Sequence, residues 1–253
     1  MTSVAIITPS IGSDTLEKLV KSVKEQTYDD IVHHIFVDGS EYSHNVNTVL
    51  ENCSLEKSKY SVNTIQNNIG KGWYGHRVYA ACSFLVNQDL IIYLDEDNWI
   101  EPEHVESLVK TIDNGCDWAY SLRKIYDKDC NFLCNDDCES LGKWPVYFDD
   151  NVFHIDTSSF MVKKQVALTI GHSWYGKWGA DRQFFRALQQ FYKNYDCTNN
   201  YSLCYRLGGN DGSVKEDFFY KGNQTQIEKY GSEQNFPWLK KEHKIGPGIS
   251  IQM

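Results

Sequence analysis

Ten residues, Leu90-Ile-Ile-Tyr-Leu-Asp-Glu-Asp-Asn-Trp99, carry the groups best suited to chemistry in this chain. A short apolar run rich in Ile and Tyr reads as a buried strand and ends in Asp95, Glu96 and Asp97. If the strand continued, alternation would put Asp95 and Asp97 on one side and Glu96 on the other. Two carboxylates converging at the end of a central strand repel each other unless a cation lies between them. Oxygen ligands of this kind suit Mg²⁺ or Mn²⁺ bridged to a substrate phosphate. Taken alone, an Asp-x-Asp is equally a solvated acidic turn, so its surroundings must decide.

Those surroundings alternate strand and helix. Val4–Thr8 predicts a first strand; past Pro9 and Gly12, Asp14 can cap a helix with Leu16, Leu19, Val20 and Val23 on one face. His34–Val37 predicts a second strand running into Asp38-Gly39-Ser40, and Ser61–Gln66 a third, ending at Asn67-Asn68-Ile-Gly70-Lys-Gly72. A helical segment over Gly75–Asn87 then precedes the Leu90–Leu94 strand. Strands separated by helices imply a parallel sheet with right-handed crossovers, and such sheets place ligands beyond the carboxyl ends of their strands. Thr8, Pro9, Asp38, Gly70 and Asp95–Asp97 all follow strand ends, so they can line one crevice.

Later in the chain, Trp174-Tyr175-Gly-Lys-Trp178-Gly179 interleaves aromatics with glycines, giving stacking faces for pyranose rings or ordinary aromatic packing. Asp181 follows, ahead of the amphipathic set Phe184, Phe185, Leu188 and Phe191, so it lies in a first helical turn as either a base or a cap. His154–Met161 predicts a strand with polar groups, near an acceptor or hydrogen-bonded within the sheet. Residues 127–150, rich in Asp, Asn and Cys, read as a surface excursion.

Composition narrows the possibilities. Aromatics at 14% in 253 residues provide for a packed core, whereas a net charge of −9 argues against a nucleic-acid binder. No apolar run approaches the roughly 18–20 residues of a membrane span, and the first residues lack the basic region of a signal peptide. Eight cysteines are therefore expected as thiols in a reducing, cytoplasmic compartment. Cys130, Cys134 and Cys138 offer a zinc reading, but their spacing is not a usual zinc pattern.

In these motifs the sequence resembles the family 2 glycosyltransferases of the GT-A fold. The matching residues are Ile-Ile-Thr8-Pro9, Phe-Val-Asp38-Gly-Ser, Asn68-Ile-Gly70 through His76-Arg77, Tyr-Leu-Asp95-Glu96-Asp97 and Gly179-Ala-Asp181-Arg182, within about residues 3–213. The resemblance implies an α/β fold with a Rossmann-like, mostly parallel sheet flanked by helices. It implies a nucleotide-diphosphate sugar donor, inversion, and a glycan, lipid-linked or protein-linked acceptor. Donor binding would fall to Thr8, Pro9, Asp38 (at the base), Gly70, Arg77, Asp95 and Glu96. Mn²⁺ or Mg²⁺ would sit mainly on Asp97, with Asp95; Asp181 would be the general base, and Trp174, Tyr175 and Trp178 would face the acceptor. Uridine is the preferred base, since Asp38 can accept from an imide N–H.

Two departures stand out. Ala180 replaces the first of two acids usual before the helix, and Tyr205–Ser213 lacks a histidine often found there. The expected organisation is one domain over 1–215, nucleotide-binding to about 100 and acceptor-binding from about 101, with a C-terminal extension over 216–253. Trp238, Lys240, Lys241, His243 and Lys244 in that extension either fold over the donor site, mediate association or pack as a terminal helix; His243 is a conceivable late metal ligand. Three other readings stay open: a dehalogenase-like phosphatase, whose Asp-x-Asp follows the first strand; a sugar nucleotidyltransferase, which has a basic loop there; and a non-catalytic sugar binder.

Overall fold

The computed structural model describes residues 2–54, 56, 59–208 and 214–240. The first strand, β1 (Val4–Ser10), leads through α1 (Leu16–Lys24) to β2 (Ile31–Asp38), through α2 (Ser43–Asn52) to β3 (Tyr60–Ile65), and through α3 (His76–Cys82) to β4 (Leu90–Tyr93). All these pairings are parallel, with Val4 opposite both Ile31 and Leu90, and the order is β3-β2-β1-β4. The chain thus switches direction across β1, and the crevice beyond β1 and β4 is where such a sheet admits a ligand.

The second half comprises β5 (Trp99–Ile100), α4 (His104–Asp113), β6 (Trp118–Tyr126), β7 (Phe132–Asn135), β8 (Phe160–Lys163), α5 (Lys164–Ile170), α6 (Ala180–Phe191), β9 (Tyr195–Arg206) and α7 (Glu216–Tyr230). β8 pairs antiparallel with β4, and β6 antiparallel with β8. Then β9 joins β6 in parallel, with β5 antiparallel on its far side and β7 off the path on β6. The sheet is therefore mixed, wholly parallel over β1 to β4 and, beyond them, parallel only between β6 and β9.

Alternation splits the core into two layers. Val4, Ile6, Leu90 and Ile92 face α1 and α4, whereas Ala5, Ile7, Ile91 and Tyr93 face the side of α3, α5 and α6. On the first side α1 buries Leu16, Leu19, Val20 and Val23, the face its spacing predicts. On the second, α6 buries Phe184, Phe185 and Leu188 against the core, and Trp174 stacks on Phe184 with centroids 4.4 Å apart. Each such fully buried large apolar side chain contributes about 1.5–3 kcal/mol. No described helix is long and apolar enough to cross a membrane.

Several expectations change. The N-cap of α1 is Thr15, not Asp14, and its hydroxyl donates to the Glu96 carbonyl at 3.0 Å. α2 had no sequence signal strong enough to name it. The polar stretch His154–Ser159 is loop and 3₁₀ turn, and only Phe160–Lys163 is strand. Residues 127–150 are a surface excursion only at their two ends, since Phe132 and Phe148 are exposed but Asp136, Cys138, Ser140 and Leu141 are wholly buried. Asp136 accounts for this: its carboxylate accepts the N–H groups of Cys138, Glu139 and Ser140 and turns the chain inward. Cys138 packs there with its thiol pushed up by burial, and no metal-holding cluster of three or more His, Cys, Asp or Glu occurs among the described residues.

The described part of the C-terminal segment lies against β7 and β9. On α7, Asn223 donates to the Asn135 carbonyl and accepts from the Asp137 N–H; beyond it, buried Trp238 donates from Nε1 to Asp137 at 2.7 Å. Lys241, His243 and Lys244, and most of the Tyr205–Ser213 motif, lie outside the described residues.

Gly142 shows how tightly this inward turn is built. Its φ is +66°, and a Cβ there would lie 2.3 Å from Cζ of Tyr120, whose hydroxyl is pinned between the Leu141 carbonyl and the Lys143 N–H. Gly142→Ala is expected to cost about 2–4 kcal/mol from left-handed backbone and overpacking together. Urea unfolding checks this: the midpoint should fall with an unchanged slope, and an unmoved midpoint would contradict the packing described.

Candidate functional site

A cleft of about 850 Å³ opens beyond the carboxyl ends of β1 to β4. On the side of β1 to β3, Pro9 and the following loop form one wall and the Asn68–His76 segment another. Asp38, at the end of β2, borders the cleft and is nearly buried, accepting from the Ile69 N–H at 2.8 Å and the Gly70 N–H at 2.7 Å. Glycine at 70 is required by that approach, because a Cβ would fall 2.4 Å from the Asp38 carboxylate. Asp38 thus shapes the loop after β3 and keeps lone pairs toward the cleft.

Two residues assigned to this wall by sequence lie elsewhere. Thr8 is fully buried in the sheet, its hydroxyl 3.0 Å from His33 Nε2, and only Pro9 reaches the cleft. Arg77 leaves the cleft altogether: its guanidinium lies 3.5 Å over the Trp73 ring, beside a second hollow lined by Ile69, Ala80, Ala81, His172 and Tyr175. Because α3 begins at His76, successive side chains diverge by about 100°. His76 faces the cleft in place of Arg77.

The acidic run forms the floor. β4 ends at Tyr93, and Asp95–Asn98 is a turn closed by Asn98 N–H on the Asp95 carbonyl at 3.1 Å. Strict alternation therefore does not apply, and all three carboxylates border the cleft. Asp95 accepts from the Tyr79 hydroxyl at 2.7 Å, while Ser158 Oγ accepts both the Asp95 N–H and the Asn98 amide at 3.1 Å. Burial and the neighbouring Asp97 hold the Asp95 carboxyl well above its usual range. Burial, with Glu96 beside it, pushes Asp97 up to about 6. Glu96 differs: its carboxylate turns back to accept the Ser10 hydroxyl at 2.7 Å and the Ile11 N–H at 3.2 Å. It fastens the loop after β1 to the turn after β4 and so acts as a latch between two walls of the cleft.

On the opposite side, Gly179 is the N-cap of α6 and Asp181 sits in its first turn. One carboxylate oxygen, Oδ1, accepts the Arg182 N–H at 2.8 Å; the other, Oδ2, lies 3.7 Å from His154 Nε2. Asp181 borders the same cleft as Asp95 and Asp97. Of the three aromatics expected at an acceptor, Trp178 lines the cleft, 66% exposed, with Arg182 4.9 Å over its ring. Tyr175 is exposed but lies against Trp73 and the second hollow, and Trp174 is core.

Sequence reasoning missed Arg123. It is 2% exposed and meets Asp136 at 2.7 Å, Glu139 at 2.6 Å and Asp156 at 2.9 Å, with the Tyr205 ring 4.4 Å away. Burial would raise Asp136, but the Arg123 guanidinium and backbone N–H donors hold it below the usual carboxylate range. A charge in the middle of the apolar strand Trp118–Tyr126 is the signal that could have found it. Arg206, at the end of β9, also lines the cleft and tempers the upward shift of Asp97.

Comparison with known proteins agrees with this geometry. The family model described as glycosyl transferase family 2 matches residues 4–206. Among curated proteins none matches. Solved structures of S. aureus TarS residues 1–349 superpose with a TM-score of 0.61 at 11% identity, and in complex with UDP-GlcNAc with 0.62 at 12%. Each covers 92% of this chain, which spans only 66–68% of that fragment and 40% of the longer TarS structure. At that identity the likeness speaks for the fold, a GT-A-type α/β architecture. With the family model covering most of its length, the chain belongs to glycosyl transferase family 2.

Proposed function

We propose that this glycosyltransferase takes its sugar from a nucleoside-diphosphate donor, UDP preferred, and passes it with inversion to an acceptor hydroxyl in a reaction needing Mn²⁺ or Mg²⁺. The observation that carries the reading is the pairing of Asp95 and Asp97 on the floor of a cleft whose other wall holds Asp181. TarS has been solved with UDP and with UDP-GlcNAc, which supports a uridine donor on the shared fold. Asp38 supports it too, as an acceptor for an imide N–H at the cleft wall.

Asp97 and Asp95 would hold the divalent ion, and their chemistry fits one. Both are hard oxygen donors, both carry upward-shifted carboxyls, and two protein ligands suffice where phosphate and water supply the rest. Once bound, the ion stabilises the negative charge that gathers on the departing diphosphate. Asp95 is oriented by Tyr79 and Ser158, and Glu96 keeps the loop after β1 in place beside the phosphates. Asp181 Oδ2 takes the proton of the acceptor hydroxyl, and Trp178 offers a face for the acceptor ring. The acceptor is a glycan, a lipid-linked or a protein-linked hydroxyl. Unbridged thiols at Cys53, Cys82 and Cys138 suit a reducing, cytoplasmic setting.

A phosphatase of the dehalogenase type fits less well, since here the acidic pair follows β4 and not the first strand. Thermal shifts with UDP, GDP and dTDP, with and without Mn²⁺, followed by a panel of nucleotide sugars, test the proposal. A metal-dependent shift with UDP and slow release of UDP from a UDP-sugar are expected. Consumption of nucleoside triphosphate would point instead to a nucleotidyltransferase, and no turnover at all to a binder.

Asp181→Asn should lower turnover by ~10²–10⁴-fold, the usual contribution of a positioned base, while leaving the Mn²⁺–UDP thermal shift intact. Unchanged turnover would remove Asp181 from the reaction. The metal dependence should also vary with pH. Asp97 is raised to about 6, so folding favours its protonated form; that stability is present at low pH and lost as pH rises toward about 6. Below this value the ion must displace a proton, and above it the carboxylate is already bare. The Mn²⁺-dependent stabilisation in the presence of UDP should therefore be larger at pH 7.5 than at pH 5, and equal shifts would separate Asp97 from the metal.

A further inference from the structure

We infer that His154 and Asp181 together form a two-point seat for the acceptor hydroxyl, His154 Nε2–H donating to its oxygen and Asp181 Oδ2 accepting its proton. The inference rests on Asp181 being the base and adds a residue to which no role in transfer has been given.

Geometry carries it. The 3.7 Å between His154 Nε2 and Asp181 Oδ2 is too long for a direct hydrogen bond. It is also too short for a water in line between them. An oxygen placed to one side, on the cleft side, can nevertheless lie about 2.8 Å from both atoms, the ordinary distance for each contact. Such a position is open, because both residues border the cleft. Of the two Asp181 oxygens, Oδ1 already accepts the Arg182 N–H, and Oδ2 is the one that faces His154 Nε2.

The state of the imidazole follows from its other nitrogen. His154 is 6% exposed, and its Nδ1 is buried without a hydrogen-bond partner among the described residues. A buried orphan N–H costs more than a bare ring lone pair, so the neutral ring carries its proton on Nε2, toward Asp181. His154 is also held firmly: its carbonyl accepts the Gly142 N–H at 2.9 Å, and Ile155 beside it is wholly buried. Only the tip of the ring meets the cleft.

The step balances. The acceptor O–H proton passes to Asp181 Oδ2 as the acceptor oxygen bonds to the anomeric carbon. The carbon–oxygen bond to the diphosphate breaks, and its electron pair leaves with the diphosphate. His154 keeps its proton throughout and fixes where the oxygen stands, which is worth most when the reacting atoms must align within a fraction of an ångström.

The test compares two amide replacements, each able to fold where a larger change would not. In His154→Gln the amide N–H reaches about the place of Nε2; in His154→Asn it stops near Nδ1. UDP release from the UDP-sugar turned over by the unaltered chain, with Mn²⁺ and water or a sugar acceptor, is the readout. His154→Asn should lose about 10- to 100-fold in kcat with the donor KM and the Mn²⁺–UDP thermal shift unchanged, and His154→Gln should regain most of that loss. Equal activity of the two variants, whether both full or both lost, overturns the seat. Asp181→Asn run alongside separates the two ideas: if it alone is inactive, the base stands and the seat falls, and if it is fully active, both fall.

Discussion

Like charges gathered at the mouth of a buried strand are the constraint around which the rest of this structure is arranged. Asp95 and Asp97 lie in the turn just past β4, and two unit charges about 4 Å apart interact by roughly 4 kcal/mol at an effective dielectric near 20. Folding alone does not relieve that repulsion. Burial first of all, then Asp97 beside Asp95 and Glu96 beside Asp97, makes both carboxyls hold their protons more tightly, and the chain supplies polar partners: Tyr79 for Asp95, and Ser158 and Asn98 for the turn that follows. Tyr79 is itself buried and raised in pKa, so it remains a donor to that carboxylate over the working range. The proposed divalent ion would gain more from such a site than from a solvated acidic turn, because it would relieve a repulsion already present.

Around this centre, other polar groups serve as fasteners between loops. Asp38 holds the segment after β3 through the Ile69 and Gly70 N–H groups, and Glu96 holds the segment after β1 through Ser10 and Ile11. His76 Nδ1 lies 3.1 Å from the Lys177 carbonyl and 3.3 Å from that of Gly176, tying the start of α3 to the loop before α6. These three loops at the cleft are thus each secured by a residue from a different element. Positioning at this level is what allows residues distant in sequence to hold a reacting geometry.

The parallel half of the fold was legible because its signals are local: short β-rich runs, helical spacing on α1, and polar groups just past each strand end. Asp38, Gly70, Asp95 and Asp97 were singled out in the same way and Asp181 by its place ahead of an amphipathic helix, and the structure brings all five to one cleft. What failed were statements about the direction of a side chain. Arg77 and His76 are neighbours in sequence, yet only the pitch of α3 decides which of them faces the cleft. Trp174 and Trp178 belong to one aromatic loop, but 174 is drawn into the core by Phe184 while 178 stays at the rim. The inward course of 127–150 was hidden for a different reason. Its polar composition resembles a surface loop, and only the buried Arg123 explains why those acids are inside.

Arg123 also shows why a buried ion network belongs in this protein at all. Replacing such a network with apolar residues is often neutral for stability, so stability alone does not account for it. Its three carboxylates come from two separate segments: Asp136 and Glu139 from the inward turn, Asp156 from the loop before β8. That loop also carries His154, across from Asp181, and Ser158, bonded to the turn of Asp95 and Asn98. One guanidinium on β6 therefore sets the position of residues that meet both halves of the cleft. An apolar replacement could fill the same volume, but it could not fix the direction of Asp156, which also accepts the Ser158 N–H at 3.0 Å. The network trades ordinary packing for orientation, where the wall that carries His154 and the acidic floor must keep register with each other.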